Sequence, residues 1–441
     1  MLRTRGIPVA LLVAMYALLA AAPVALALLQ ERPLRNAWRE LSSALVMAAF
    51  AMLLMEFVLS GRWRVVSGRA GIDATMRFHQ LAARVLLVLV VAHPLLYAVP
   101  RLQPDPANAL AALQGMFGSP RLRSGVVAWW LLIALVLFAI FRDRLRLRYE
   151  AWRLSHGVGA TAVAALALHH TLQAGTYARD SWSSAYWSAM AAAALGSLAY
   201  VYLVAPLVQL RHPWRVVSNR QVADRMWEVV IEPQQGLAPA FAAGQFAWLN
   251  FGRSPFSLVE HPFSISSAPA ALPRLSFVIK ESGDFTRRIG AVPSGTRAFV
   301  DGPHGSFTLQ AREERPLAFI AGGVGFAPIL GMLRDLRVRR YPHAMRLVYG
   351  NRTLSQILYR EEVDLLGVQV DYVLSEPPPG WTGRTGELTP EVLAGCLDMP
   401  DRRAWLYFVC GPTPMMDSVE RTLRAWGIPP AQVVAERFKY A

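Results

Sequence analysis

Six runs of roughly twenty apolar residues, each long enough to span a bilayer as a helix, alternate with short polar segments along the first 210 positions of this 441-residue chain. They fall at about 7–29, 41–60, 78–99, 125–141, 152–174 and 183–209. Beyond them the pattern changes. Asp224 to Ile231, Gly244 to Phe251 and Arg274 to Lys280 are short segments with alternating faces, the signal of strands. From Arg315 onward, strand-like runs (Pro316–Ala321, Met345–Gly350, Val368–Leu374, Trp405–Val409) alternate with helical stretches, the mark of a parallel α/β sheet. The pattern predicts a multidomain membrane protein. A six-helix transmembrane bundle (1–210) precedes an antiparallel β-barrel (211–312) and an α/β parallel-sheet domain (313–441).

Charge refines this picture. The net charge is +15, carried almost wholly by arginine, with lysine only at Lys280 and Lys439. A basic balance is also a signal for nucleic acid, but here many arginines sit in short loops between apolar runs. Arg3 and Arg5 precede the first run. Arg62, Arg64, Arg69 and Arg77 separate the second from the third, and Arg142, Arg144, Arg146, Arg148 and Arg153 the fourth from the fifth. The opposite loops are poorer. The positive-inside rule therefore predicts cytoplasmic termini in an integral membrane protein (the inner membrane, if bacterial), with lipid as partner and no nucleic acid. The first run is too long for a signal-peptide core and other spans follow it, so it reads as a retained helix. Cys396 and Cys410 form no CxxC pair, which excludes a disulfide framework or thiolate metal site.

Within the bundle, histidines stand out. His79 and His93 are fourteen positions apart on the third run. That spacing puts both rings within about 40° of one helical face and about 21 Å apart along the axis. The fifth run repeats the device with His156 and the doublet His169-His170. Both runs cross in the same direction, so His79 and His156 share the inner depth, and His93 and the doublet share the outer one. Four imidazoles at two matched depths suit two b-type haems, each held by two histidines. A buried histidine more often just bonds neighbouring backbone; five on two helices with near-equal spacing argue for ligands. Spacing alone prefers His170, because His169 lies about 140° off the face of His156. Gly157, Gly159, Ala160, Ala162, Ala164 and Ala165 permit close approach of a helix or a flat macrocycle. Glu56 and Arg84 also lie in apolar runs, where they pair with each other, Arg84 holds a haem propionate, or both snorkel to the surface.

The second half carries ordered motifs. His261-Pro262-Phe263-Ser264-Ile265-Ser266 offers an aromatic ring followed by hydroxyls, which suits a flavin edge. Gly283-Asp284-Phe285-Thr286 opens a helix over 286–291, a ready phosphate site. Residues Asp301 to Phe307 read as a turn. Gly322-Gly323-Val324-Gly325 lies between a strand and a helix, where glycine lets a dinucleotide pyrophosphate approach the helix start. Its spacing is not the ordinary dinucleotide fingerprint. Arg352 follows the next strand and faces a ribose phosphate or solvent. Cys410-Gly411-Pro412 follows the fourth strand, and Glu436-Arg437-Phe438 closes the chain.

The ordered set HPFS, GDFT, GGVGFAP and VCGP resembles the ferredoxin–NADP reductase superfamily over 211–441. With the bis-histidine bundle in front, the whole chain resembles the ferric reductase and NADPH oxidase family. The resemblance implies FAD on the barrel at His261, Phe263, Ser264, Gly283 and Thr286. It implies NADPH or NADH on the α/β domain at Gly322, Gly323, Gly325, Cys410, Gly411 and Pro412. Arginine often stands in the superfamily where His261 does. The resemblance makes Phe438 the terminal aromatic over the flavin, with Cys410 beside the reacting nicotinamide. It also favours His169 over His170, since outer ligands of the oxidases are commonly thirteen positions from the inner.

The function this implies is an NAD(P)H-dependent flavocytochrome. Electrons would pass from NAD(P)H through FAD and two haems to an extracytoplasmic acceptor. The loops 100–124 and 175–182 hold no acidic or histidine cluster for iron, which favours oxygen, reduced to superoxide, over a ferric chelate or a partner protein. The competing reading is a membrane-anchored flavin reductase whose helices carry no haem.

Overall fold

In a bilayer only a helix or a closed barrel satisfies its own backbone, and the apolar runs fold as helices. The computed structural model describes residues 6–102, 105–145, 147–252, 254–309 and 314–437. Residues 6–70 and 74–204 form one unit, and the greater part of the remainder, 205–441, forms another.

In the first unit the helices in chain order are α1 (Val9–Leu28), α2 (Ala37–Leu59), a short α3 (Arg64–Ala70), α4 (Ile72–Ala98), α5 (Ala107–Gly118), α6 (Arg123–Ile140), a single turn α7 (Arg142–Leu145), α8 (Tyr149–Ala174) and α9 (Ser181–Ala199). A π-helical turn at Tyr200–Val204 leads on into α10 (Ala205–Arg211). Among the described residues, five helical stretches are long and apolar enough to cross a membrane: Val9–Leu28, Ala37–Leu59, Ile72–Arg101, Pro120–Ile140 and Ser181–Arg211. The expected fifth span, α8, has the length, 26 residues, but is more polar. Glu150, Arg153 and three histidines interrupt its apolar sequence.

Helix starts follow side-chain chemistry. Asn36 accepts a hydrogen bond from the Trp38 amide at the start of α2, and Asp180 accepts from Trp182 and Ser183 at the start of α9, each satisfying amides that have no partner within the helix. Of the five candidate spans, α2 is the most buried. Its Ala49, Ala51 and Leu54 are buried, and Phe50 stacks on Trp187 of α9 with centroids 4.9 Å apart. Helix α8 packs chiefly on α6. Leucines and valines such as Val13, Leu18, Val88 and Leu95 point outward, as lipid-facing side chains do.

The second unit has two sheets. The first comprises β1 (Trp214–Ala223), β2 (Met226–Pro233), β3 (Phe246–Phe251), β4 (His261–Ser264), β5 (Leu275–Lys280) and β6 (Arg297–His304), in the order β4-β3-β6-β1-β2-β5. All its pairs are antiparallel. A bridge between Ile265 and Phe277 links the two ends and closes the barrel. Alternation puts Val229, Ile231, Leu249 and Phe277 inside. Residues 301–304, expected as a turn, belong to β6 because they pair with β3 as far as Phe246–His304.

The second sheet is wholly parallel. It comprises β7 (Leu317–Gly322), β8 (Met345–Asn351), β9 (Gln369–Leu374), β10 (Arg384–Thr385), β11 (Leu406–Cys410) and β12 (Val433–Glu436), in the order β10-β9-β8-β7-β11-β12. Central β7 is buried along its whole length, as a strand covered on both faces must be. Phe319 joins the core under α11 (Phe326–Val338), which also takes in residues of α12 (Arg360–Leu365). Ile320 joins the opposite core with α13 (Pro390–Cys396) and α14 (Thr413–Ala425). Two strands of this sheet were not foreseen. β10 has two residues and β12 has four, too few to show a period.

Candidate functional site

Ligands of open parallel sheets bind beyond the carboxyl ends of the strands, and two glycine turns meet there. A Cβ at Gly325 would lie 2.5 Å from the Cys410 carbonyl oxygen and 2.7 Å from the Gly411 Cα. One at Gly322 would lie 2.5 Å from the Met415 sulfur and 2.8 Å from Pro412 Cδ. The turns GGVG and CGP therefore touch backbone to backbone, and only glycine fits. Gly323 has a φ of +52° and open space before it. Helix α11 starts immediately after this turn and points its free amides there.

Cys410 is fully buried at the end of β11, between Ala321 of β7 and Glu436 of β12. Burial, then the Glu436 charge, push its thiol well above the usual thiol range, so it stays neutral. Burial also pushes the Glu436 carboxyl well above the usual carboxylate range. One of its oxygens has no hydrogen-bond partner, and the other lies 2.9 Å from a Cβ position at Gly305. A buried carboxyl facing a glycine turn of the barrel is a functional candidate. Only its place in the closing Glu436-Arg437-Phe438 signalled it in the sequence. Phe438 lies outside the described residues. Arg352, at the end of β8, is mostly exposed and lies 3.4 Å from Glu376.

On the barrel, β4 carries His261, Pro262, Phe263 and Ser264, paired with β3. The His261 ring lies 4.3 Å from Phe285, which also stacks on Phe263 and Phe251, each 6.3 Å away. Phe285 thus joins the HPFS and GDFT motifs into one aromatic wall, a role the sequence did not reveal. Thr286 Oγ1 accepts from the amides of Ser282 and Gly283 and starts the expected helix, Thr286–Ala291, which is of the 3-10 type. Nothing stands within 4 Å of a Cβ at Gly283, and Asp284 is exposed. Ile265 is in the barrel core, so only its backbone can meet a ligand. Ser266 is fully buried with an unpartnered hydroxyl, which fits a polar ligand atom.

In the first unit, His79 of α4 and His156 of α8 come together, with ring centroids 6.3 Å apart and planes at 81°. A metal–imidazole bond of about 2 Å plus a ring radius of about 1 Å puts a shared ion about 3 Å from each centroid, so the pair fits one iron between them. Nδ1 of His79 lies 2.7 Å from Glu56 Oε2, and Tyr16 donates to the other Glu56 oxygen at 2.8 Å. Glu56 therefore pairs with His79 rather than with Arg84. An imidazole that gives its Nδ1 proton to a carboxylate keeps an Nε2 lone pair for a metal.

The outer histidines are held differently. Ser42 donates to the His93 carbonyl at 2.9 Å, and its oxygen lies 2.7 Å from His93 Nδ1. That hydroxyl proton is spent, so the imidazole donates through Nδ1 and again keeps Nε2 free. Ser124 stands 3.0 Å from Nδ1 of the exposed His169. The His170 ring instead lies flat on Gly125, where a Cβ would come within 2.5 Å of it. Among the described residues, no three His, Cys, Asp or Glu side chains group as a metal site; haem iron needs only two.

Comparison with known proteins adds three matches. Residues 45–167 match the family described as ferric reductase like transmembrane component, 238–308 an FAD-binding domain, and 319–421 an oxidoreductase NAD-binding domain. The chain has the architecture of the ferric reductase/NADPH oxidase family.

Its second half also belongs to the ferredoxin–NADP reductase family. It is 31% identical over 240 residues to ferredoxin–NADP reductase B of Sorangium cellulosum, covering 51% of this chain and 96% of that one. It is 32% identical over 163 residues to NADH-cytochrome b5 reductase 1 of Meyerozyma guilliermondii, covering 35% of this chain and 57% of that one. The chain thus spans just over half the length of that reductase. Among solved structures, the ferredoxin reductase in carbazole 1,9a-dioxygenase aligns at a TM-score of 0.46 and 24% identity, covering 52% of this chain and 69% of that one. With this architecture the chain is a membrane protein and an NAD(P)H-dependent oxidoreductase with FAD- and NAD-binding domains.

Proposed function

We propose that the chain carries electrons from NAD(P)H in the cytoplasm to an acceptor on the far side of the membrane. FAD on the barrel would accept hydride and release single electrons, and b-type haems in the bundle would relay them. The observation that carries this reading is the His79–His156 pair, set at the spacing of two ligands on one iron.

The chain's own residues have distinct tasks. Gly322, Gly323, Gly325, Gly411 and Pro412 bring backbone close to the nucleotide. Ser264, Ser266 and the wall of His261, Phe263 and Phe285 hold the flavin, with Gly283, Asp284 and Thr286 near its phosphates. Phe438 would be the aromatic over the flavin that must move aside for the nicotinamide, and neutral Cys410, buried at the end of β11, would face the nucleotide. Glu56 and Ser42 hold His79 and His93 by Nδ1. Ser124 holds His169 as Ser42 holds His93, which favours His169 as the outer ligand.

Oxygen, reduced to superoxide, is the acceptor we favour. One observation favours a ferric chelate: a cleft of about 680 Å³, lined by Arg101, Asn108, Met116 and Ser119 among others, has the size of a small-molecule site and a cation for an anionic ligand.

Substitution separates a haem path from a haem-free anchor. His79→Ala and His156→Ala should each abolish haem reduction by NAD(P)H while sparing NAD(P)H oxidation by soluble dyes. His169→Ala should lose the outer haem, and His170→Ala should keep it. If haem reduction survives loss of His79 and His156, the helices are an anchor only.

A further inference from the structure

Helix α11 leaves the glycine turn and runs directly across the segment that follows β4. At Gly331 the helix comes so close that a Cβ would lie 2.8 Å from the Ile265 carbonyl oxygen and 3.2 Å from that of Ser267. Arg334 is three positions further, on the same face. Its Nη1 donates to the carbonyl of the intervening residue, Ser266, at 2.9 Å. Its Nε and Nη2 grip Glu362 of α12 at 2.6 and 2.7 Å. The Tyr359 ring lies 5.0 Å from the guanidinium. The Ser266 amide in turn donates to Ser276 of β5. A bidentate, largely buried arginine is a stiff connection, and this one joins the helix behind the nucleotide turn to the backbone of the HPFSIS segment.

We propose that Arg334 is a positioning residue for hydride transfer: through the Ser266 carbonyl it fixes the flavin-binding segment against the nucleotide-binding helix. The inference rests on the reading of HPFSIS as flavin-binding. Hydride moves as a proton with two electrons from the reduced nicotinamide ring to the flavin, over a distance that tolerates little error. A misplacement of about 1 Å costs on the order of 100-fold in rate.

The test uses the full-length protein. Anaerobic mixing with saturating NAD(P)H gives the limiting rate of flavin bleaching, and hydrogen exchange of the 265–267 amides is read on the same flavin-loaded protein. Arg334→Gln should slow bleaching by about 10- to 100-fold, speed exchange at 265–267, and leave flavin content and nucleotide affinity within about twofold. Glu362→Gln, which keeps the bond to Ser266, should retain most of the rate. Equal losses in the two variants would make Arg334 a mere staple between helices and overturn the proposal, as would an unchanged rate in Arg334→Gln. Should Arg334→Gln lose its flavin, Gly331→Ala presses on the same carbonyls without removing a charge. A slower rate with flavin retained then supports the proposal, and a normal rate overturns it. Wild-type protein that binds no flavin would instead remove the parent reading, an outcome distinct from flavin bound and reduced at an unaltered rate.

Discussion

Nδ1 of His79 lies 2.7 Å from Oε2 of Glu56, a carboxylate buried in α2 and also bonded by Tyr16. A carboxylate on the far nitrogen of a metal-binding imidazole orients the ring and raises its basicity, and losing such a partner costs about 10- to 100-fold in metal affinity or activity. Glu56→Gln should therefore weaken retention of the inner haem and raise its midpoint potential, because the more basic ligand favours oxidised iron. Redox titration of the purified variant checks this. A potential and haem content equal to wild type would show that Glu56 only fills space.

The glycines differ sharply in what they permit. A Cβ at Gly325 meets the Cys410 carbonyl oxygen at 2.5 Å, whereas one at Gly283 meets nothing within 4 Å. Gly325→Ala should cost about 1–3 kcal/mol by overpacking and raise KM for NAD(P)H, with Gly283→Ala near wild type in stability. Thermal melting of the two variants makes the comparison.

The sequence showed the elements but not what holds them. Periodicity and length revealed the long helices, and alternation placed β2, β3 and β5 within a residue or two at each end. It also marked His79 and His156, because their spacing is a property of one helix at a time. The groups that hold the rings come from other helices, Glu56 and Ser42 on α2 and Ser124 on α6, so no local pattern joins them. Arg84 was a plausible partner for Glu56 by depth alone, and the packing of α2 on α4 gave Glu56 to His79 instead. Arg334 looked like one more charge on an amphipathic helix; its bond to Ser266 spans 68 positions. Short edge strands such as β12 carry too little period to detect.

If Arg352 holds the 2′-phosphate, nucleotide preference depends on how freely its guanidinium can leave Glu376. Their ion pair, at 3.4 Å and mostly exposed, is worth about 0–1 kcal/mol, so Glu376 competes only weakly for the guanidinium. Glu376→Gln should lower KM for NADPH by up to about fivefold with little change for NADH, and Arg352→Ala should raise it for NADPH alone. Parallel effects on both nucleotides would place the 2′-phosphate elsewhere.

Glu436 makes stability depend on pH. Burial raises its folded-state pKa well above the ordinary 4.5. Between the two values the folded chain holds a proton that the unfolded chain has lost, so stability falls as pH rises through that window. Glu436→Gln removes the penalty. Its melting temperature should match wild type below about pH 4 and exceed it increasingly toward neutral pH. A gap that shrinks as pH rises would mean that Glu436 is ionised in the folded protein.

The electron path is tested most directly by adding NAD(P)H anaerobically to the purified full-length protein and recording its visible spectrum. The predicted result is the spectrum of reduced b-type haem, at two haems per chain, appearing after the flavin bleaches. Bound flavin that bleaches in a preparation with no haem signal would contradict the path and leave a membrane-anchored flavin reductase.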